Sequence, residues 1–208
     1  MFLLNVSVRP DDLANLCALY SALCVRRIVP AELERYAQKS MLLDSSSSAS
    51  QIIQEATKCG LLSLGPAGYF LTDRGRQLGK CQKEVRHQIS EAAKDHLIKK
   101  VYLNVEAGPA CCRDFLTSFR ADAVLQTFVF DRKENELLGE ARWLRILSRV
   151  GLLEVSTESA KINRRYLDAV NYLLRQVRDG LTWNGPDSDK DREKIGKVAE
   201  KCALDYEM

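Results

Sequence analysis

Two histidines, seven cysteines and several paired carboxylates are the residues of this 208-residue chain whose types could do chemistry. Nucleophilic catalysis needs a nucleophile with a base in hydrogen-bonding reach. His87 and His96 are nine residues apart, two and a half turns if one helix carries both, so they point to opposite faces and read as solvated helix residues. The cysteines are Cys17, Cys24, Cys59, Cys81, Cys111, Cys112 and Cys202. No pair has the two-residue spacing of a zinc knuckle and no histidine cluster completes a ligand set, so they read as reduced core thiols without a metal. Asp11-Asp12 and Glu32/Glu34 stand at helix starts, where carboxylates favour the macrodipole. Gly60-x-x-x-x-Gly65 has half the spacing of a phosphate loop but lacks the following Lys-Ser/Thr, and neither a Gly-x-Ser-x-Gly elbow nor a dinucleotide fingerprint occurs. The expectation is no catalytic activity and no cofactor.

Binding chemistry is better represented, and it rests on an internal repeat. Cys59-Gly60-Leu61-Leu62-Ser63-Leu64 recurs as Val150-Gly151-Leu152-Leu153-Glu154-Val155, an offset of 91 residues. Twelve residues after each glycine stands a helix-capping type, Thr72 or Asn163, with Arg74 or Arg165 two residues on. Matching punctuation at matching length indicates two copies of one fold. Ahead of the first glycine, Gln51, Gln54 and Lys58 share one helix face, and adding the offset gives Arg142, Arg145 and Arg149. A helix in the major groove uses Arg for guanine edges and phosphates, and Gln for adenine edges. Arg74 and Arg76 in one copy, and Lys161, Arg164 and Arg165 in the other, lie beside the wings, where backbone phosphates run. An exposed helix face is polar in any case. Glu55 precedes Lys58 by three residues and can pair with it, whereas no acid of the second helix lies three or four residues from its three arginines. The second copy is therefore the favoured DNA-contacting one. Trp143 and Tyr69 could stack on single strands, but both keep the period of the core and read as packing residues.

The elements that would position these residues follow from periodicity. Leu13, Leu16, Cys17, Tyr20 and Leu23-Cys24 give an amphipathic helix over 11–25. Pro30 opens a second helix, and the serines of 45–48 supply the cap of a third, 49–59, which Gly60 ends. Two short apolar runs around Gly65-Pro66-Ala67-Gly68 predict a β-hairpin, and Thr72 caps a helix expected to run on through 80–104. Three helices followed by a two-stranded wing is the winged helix-turn-helix. In the second copy 112–120 and 134–150 read as helices and 151–162 as the wing. Residues 123–130 carry two readings, because Val124, Thr127, Phe128, Val129 and Phe130 favour a strand while the repeat register wants a helix. The expected fold is α+β, mostly helical: winged helix 1 over 1–79, a connecting helix over 80–104, winged helix 2 over 105–179, and a flexible tail with a short helix over 180–208.

Composition is compatible with this. Apolar residues are 46% and charged residues 28%, a soluble globular balance, and no apolar run approaches the ~18 residues of a membrane span. Residues 1–9 lack the basic lead and long apolar core of a signal peptide, so a cytoplasmic protein is expected. Net charge is +3. Residues 1–104 hold 14 basic against 10 acidic side chains, 105–180 hold 12 against 11, and 181–208 hold 5 against 7. The global field is small, so any DNA contact depends on local placement of Arg and Lys.

Gly60-Leu61-Leu62 followed by Tyr69-Phe70-Leu71-Thr72-Asp73-Arg74-Gly75 resembles the winged-helix modules of prokaryotic regulators and antiviral defence proteins. Two such modules followed by Glu193-Lys194-Ile195-Gly196-Lys197-Val198-Ala199-Glu200 and Leu204-Asp205-Tyr206-Glu207 are similar to bacterial proteins related to the plant protein NO VEIN. In those a nuclease-like domain begins with Gly, a spacer and Gly-Glu; here the second Gly is Ala199 and the sequence stops at Met208. The resemblance implies a truncated form or a subunit that keeps the sensing half, with Glu200 matching a family acidic residue that cannot hold a metal alone. The architecture also resembles the kleisin-interacting subunits of SMC complexes and related defence components, an analogy of fold. The expected function is a non-catalytic accessory subunit that binds double-stranded DNA, with a partner ATPase or nuclease subunit, a possible homodimer and no membrane. A protein-only adaptor using Trp183, Tyr206 and exposed wing surface is the alternative. A transcriptional repressor, dimeric and reading a palindrome, is a third.

Overall fold

Pro10 opens the first helix, α1 (Pro10–Ala22), where a missing N–H costs nothing, and the Asp12 carboxylate accepts the Arg9 backbone N–H at 3.0 Å to complete the cap. In this computed structural model, which describes residues 8–41, 48–85, 87–104, 108–132 and 138–177, α1 is buried all round from Pro10 to Tyr20. It is the axle of the first half. Helix α2 (Pro30–Ser40) lays Leu33 and Ala37 inward. Ser48 caps α3 (Ala49–Lys58): its hydroxyl accepts the Gln51 N–H at 3.2 Å and the Gln51 side chain accepts the Ser48 N–H at 3.1 Å. Strands β1 (Leu62–Gly65) and β2 (Gly68–Leu71) form an antiparallel hairpin, and Thr72 caps α4 (Asp73–Gln82). Helix α4 lies along α1, so close that a Cβ on Gly79 would stand 2.6 Å from the Cys17 carbonyl oxygen.

The long connecting helix expected over 80–104 does not form. Lys83 turns to φ +64° and ends α4; the next helix, α5 (Glu91–Leu97), starts only after Ser90 and passes into a single π-helical turn, Ile98–Tyr102. Buried polar groups hold the break open. The Gln82 amide donates to Asn15 Oδ1 at 3.1 Å and accepts the Ser90 N–H at 2.9 Å, and Asp11 accepts the Ile89 N–H at 3.2 Å. These bonds give the backbone of the break its partners inside the core, so a continuous helix is no longer the only way to satisfy it. Ile89 goes inward with it, 7% exposed, and α5 folds back against α4 and α1.

The second half contains α6 (Ala110–Thr117), β3 (Arg120–Asp122), β4 (Thr127–Asp131), α7 (Leu138–Arg149), β5 (Leu153–Val155), β6 (Ser159–Ile162), a short 3-10 turn Arg164–Tyr166, and α8 (Leu167–Val177). The four strands form one antiparallel sheet in the order β3-β4-β6-β5. Of residues 123–130, which carried two readings, 127–130 take the extended one within β4, and 123–126 form the turn that joins it to β3. Phe128 and Phe130 alternate inward, and Phe130 packs with Phe115 and Phe119 at 5.4 Å between ring centroids. Among the described residues the chain is α+β, with eight α-helices and two small sheets around one core. None of these helices is long and apolar enough to cross a membrane. The expected tail, with Trp183, Cys202 and Tyr206, lies outside the described residues.

The repeat is visible in the backbone, and it is a half-repeat. Gly60 (φ +66°) and Gly151 (φ +82°) end α3 and α7 in the left-handed conformation that glycine adopts without penalty. After each, the next residue's N–H bonds five residues back, Leu61 to Ala56 O at 2.8 Å and Leu152 to Leu147 O at 2.9 Å. Leu62 then pairs with Leu71, and Leu153 with Ile162. Upstream the copies differ. In the first half Tyr69 makes only the single bridge to Ile28, whereas its counterpart at the same offset, Ala160, pairs with Phe130 within a full β4–β6 ladder, and Phe130 does not stand at that offset from Ile28.

Candidate nucleic-acid interface

The face proposed for reading DNA is differently placed in the two halves. On α3 the residues turned away from Ile52, Ile53 and Ala56 are Ser50, Gln54, Thr57 and Lys58, with Gln54 and Lys58 exposed. Gln51 spends its amide on the Ser48 cap. Lys58 Nζ lies 3.2 Å from Glu55 Oε1, the intrahelical pair expected from their spacing, and Glu55 is only 3% exposed. This strip is polar and partly accessible.

The matching strip of α7 is a solvent face only in part: Arg145 and Arg149 are exposed and Arg142 is buried. Arg142 is 8% exposed; its guanidinium sits 5.6 Å from the Trp143 ring centroid and its Nε is buried without a hydrogen-bond partner. Burial pulls its pKa below the ordinary arginine value, and the charge of Glu55 on α3 opposes that shift. Trp143 in turn meets Tyr102 edge to face at 6.2 Å, so α7 packs into the π-helical turn that follows α5. Arg149 bonds through Nε to the buried Asp11 carboxylate of α1. Of the three arginines that lacked partners on their own helix, Arg149 finds an ion pair on the first half, Arg142 is buried over Trp143 within the field of Glu55, and Arg145 is both exposed and outside any ion pair among the described residues.

The residues beside the hairpins are likewise partly committed. Arg76 is held by Asp73 and donates to the Leu71 carbonyl at 2.7 Å. Arg74 is half-buried, and its backbone bonds His96. Arg165 lies 3.4 Å from Asp95 and over the Tyr166 ring. Lys161 sits in the middle of the second sheet, opposite Glu154, half-buried; Arg164 is exposed. Of these eleven residues Arg142 is buried, and Lys58, Arg76, Arg149 and Arg165 are held in ion pairs.

Neither histidine matches its expectation in full. His87 is exposed but lies in the break after α4, off any helix. His96 is half-buried on α5, its Nε2 has no partner, and desolvation lowers its pKa although the bond to the Arg74 backbone opposes this. Cys17, Cys59 and Cys112 are buried thiols; burial raises all three pKa values, Cys59 to about 12. Cys24 departs from the core-thiol expectation: it is exposed, at φ +52°. Among the described residues no group of three His, Cys, Asp or Glu side chains could hold a metal ion.

Sequence reasoning passed over Asp11 as a docking group and over Arg26, Arg27 and Lys80, which meet Arg76 around one cavity. The Arg26-Arg27 doublet between two helices was the one visible signal for the latter. Asp11 gave none beyond its place in a first turn. No protein-family model, curated protein or solved structure matches the chain.

Proposed function

We propose that the protein is a non-catalytic tandem winged-helix accessory subunit that contacts duplex DNA through its first half. On this reading α1, α2, α3 and the β1–β2 hairpin form one winged helix, and α6, the four-stranded sheet and α7 form a second whose helical α2 counterpart is replaced by β3–β4. The observation that carries the reading is the accessible polar strip of α3 beside a hairpin, on a helix that turns Ala49, Ile52, Ile53 and Ala56 into the core. The second half serves as a support. Arg149 fastens it to the first half through Asp11. The setting, a prokaryotic defence or DNA-maintenance assembly with an ATPase or nuclease partner, rests on the resemblance of residues 60–75 and 193–207.

The test is fluorescence anisotropy of a random duplex of roughly 30 base pairs at ~50 and ~200 mM salt. Binding that weakens steeply with salt, and that Gln54→Glu reduces by about tenfold while Arg145→Glu leaves it nearly intact, supports contact through α3. Equal loss in both variants refutes it. A protein adaptor is the second reading, favoured by the β3–β4 tip, where Val124 is 91% exposed. It predicts no duplex binding at either salt and a mass shift on mixing with a partner.

A further inference from the structure

A cavity of about 520 Å3 opens between the C-terminal end of α1, the loop to α2, strand β2 and α4. Four cations line it, Arg26 and Arg27 from the loop and Arg76 and Lys80 from α4, and no carboxylate does. Among the described residues Arg26, Arg27 and Lys80 enter no ion pair, while Arg76 is fixed by Asp73 and the Leu71 carbonyl. The three cations that lack a counter-charge, gathered from two elements, repel one another, and a bound anion relieves that repulsion. The remaining wall is apolar and aromatic. Val25 is 45% exposed at the rim, and the Arg27 guanidinium stands 5.9 Å from the Phe70 ring centroid, leaving a flat guanidinium–ring surface.

The backbone around the cavity is built, not incidental. Cys24, a non-glycine residue, is held at φ +52° at the rim, its N–H bonded to Ser21 O at 3.3 Å. Residues kept in that sparsely populated region concentrate at ligand sites. Ile28 is pinned to Tyr69 by paired backbone bonds of 3.0 and 2.8 Å, and the Tyr20 hydroxyl donates to the Tyr69 carbonyl at 2.5 Å. The loop that carries both arginines is thus anchored at its far end to the hairpin. No residue of α3 lines the cavity, so this site is separate from the proposed DNA face.

We propose that this cavity binds a small ligand joining a flat ring to a phosphate group, a nucleoside phosphate in chemical class. The phosphates lie among Arg26, Lys80 and Arg76, and the ring lies against Phe70 and Val25. The volume is within the ~300–1,000 Å3 of small-molecule sites, and a ring with one to three phosphates needs both the charge and the apolar wall. Duplex DNA offers phosphates to the same cations but keeps its rings stacked, so it leaves the apolar wall unused.

The full chain is titrated with ADP, with adenosine and with pyrophosphate, by calorimetry and by the rate of Cys24 alkylation read from peptide mass spectra. Cys24 is exposed and lines the cavity, so an occupant shields it. The expected result is ADP binding that slows Cys24 alkylation by about fivefold or more, with adenosine and pyrophosphate each weaker by roughly tenfold or more, since each keeps half of the contacts. Arg26→Ala with Lys80→Ala, both exposed positions, weakens ADP by at least about tenfold and leaves the melting temperature of the free protein unchanged. Phe70→Ala weakens ADP and spares pyrophosphate, and Gln54→Glu leaves ADP binding alone. The proposal is overturned by failure of ADP to bind at millimolar concentration, by equal affinity in the double variant, by pyrophosphate binding as tightly as ADP, or by protection of Cys24 with duplex DNA and not with ADP.

Discussion

Arg149→Ala separates a clamp from a DNA contact, because each role predicts loss in a different assay. The Asp11 side chain is 4% exposed and that of Arg149 43%. Deleting the guanidinium leaves a buried carboxylate held by the Ile89 N–H, 3.2 Å from its Oδ1. Removing one partner of a fully buried pair costs ~3–5 kcal/mol. Here the arginine is half in water, so screening and water access bring the expected cost to ~1–2 kcal/mol. For a chain of this size that is a fall in melting temperature of about 2–8 °C. Arg149→Lys keeps the charge but loses the guanidinium Nε–H that reaches Asp11, and recovers less than half of the loss. A cycle with Asp11→Asn, read by urea denaturation followed by circular dichroism, gives a coupling of about 1 kcal/mol. The same variants are then titrated with duplex DNA, where Arg149→Ala is expected to change affinity less than about twofold. If Arg149→Ala melts with the parent while DNA binding collapses, the guanidinium faces DNA, and the docking of α7 on α1 is wrong.

Three further outcomes follow from the same structure. Gly79→Ala forces a methyl group against the Cys17 carbonyl, where it would stand 2.6 Å away, and is expected to cost ~1–3 kcal/mol in urea denaturation by prising α4 from α1; a neutral result would mean the two helices are not in close approach. The lowered pKa of His96 means that between that value and the unfolded value near ~6.5 the unfolded chain binds the extra proton, so stability is full above this window and falls as pH drops through it. Melting temperatures from pH 7.5 to 5.5 check this, and the fall should be shallower in His96→Gln. Iodoacetamide is expected to label Cys24 promptly, and Cys17, Cys59 and Cys112 only once the chain is unfolded, because burial keeps those three as unreactive thiols; rapid labelling of Cys59 in the native protein refutes it.

What was legible in the sequence was whatever depends on neighbours along the chain. Ser48, Thr72 and Asn163 were readable as caps because capping joins residues two or three apart. Gly60 and Gly151 were readable because a left-handed helix end favours glycine. What was not legible depends on distant partners. The helix expected over 80–104 has an unbroken apolar stripe in Val85, Ile89, Ala93, Leu97 and Val101, yet Ile89 reaches the core from a loop, because Asp11, 78 residues away, supplies its N–H with an acceptor. Periodicity registers that Ile89 is buried and is silent on how the backbone gets there. Likewise 127–130 became a strand, and 123–126 a turn, because β3 and β6 were available to pair with β4 on either side, a fact outside the segment itself.

The same distinction governs the candidate interface. A helix copied with its hairpin keeps its outward strip, and that strip must be polar whether water, DNA or another part of the chain covers it. In α3 water covers it, and Gln54 and Lys58 meet that need. In α7 the first half covers part of it, at Arg142 and at the fork of Arg149, and a covered position must then carry its charge toward a carboxylate while burying its own stem. Arginine does this better than lysine or glutamine, since its long apolar stem packs and its weakly hydrated fork still reaches a partner. Arg142 lies over Trp143 within the field of Glu55, and Arg149 reaches Asp11. An all-arginine strip in one copy, against a mixed one in the other, is therefore what intramolecular docking produces, and the absence of helical i,i+3 and i,i+4 acids around it points the same way. Arg149 was left unpaired on its own helix because its carboxylate, Asp11, sits on the other half of the molecule, and Arg142 because the field of Glu55 reaches it from α3.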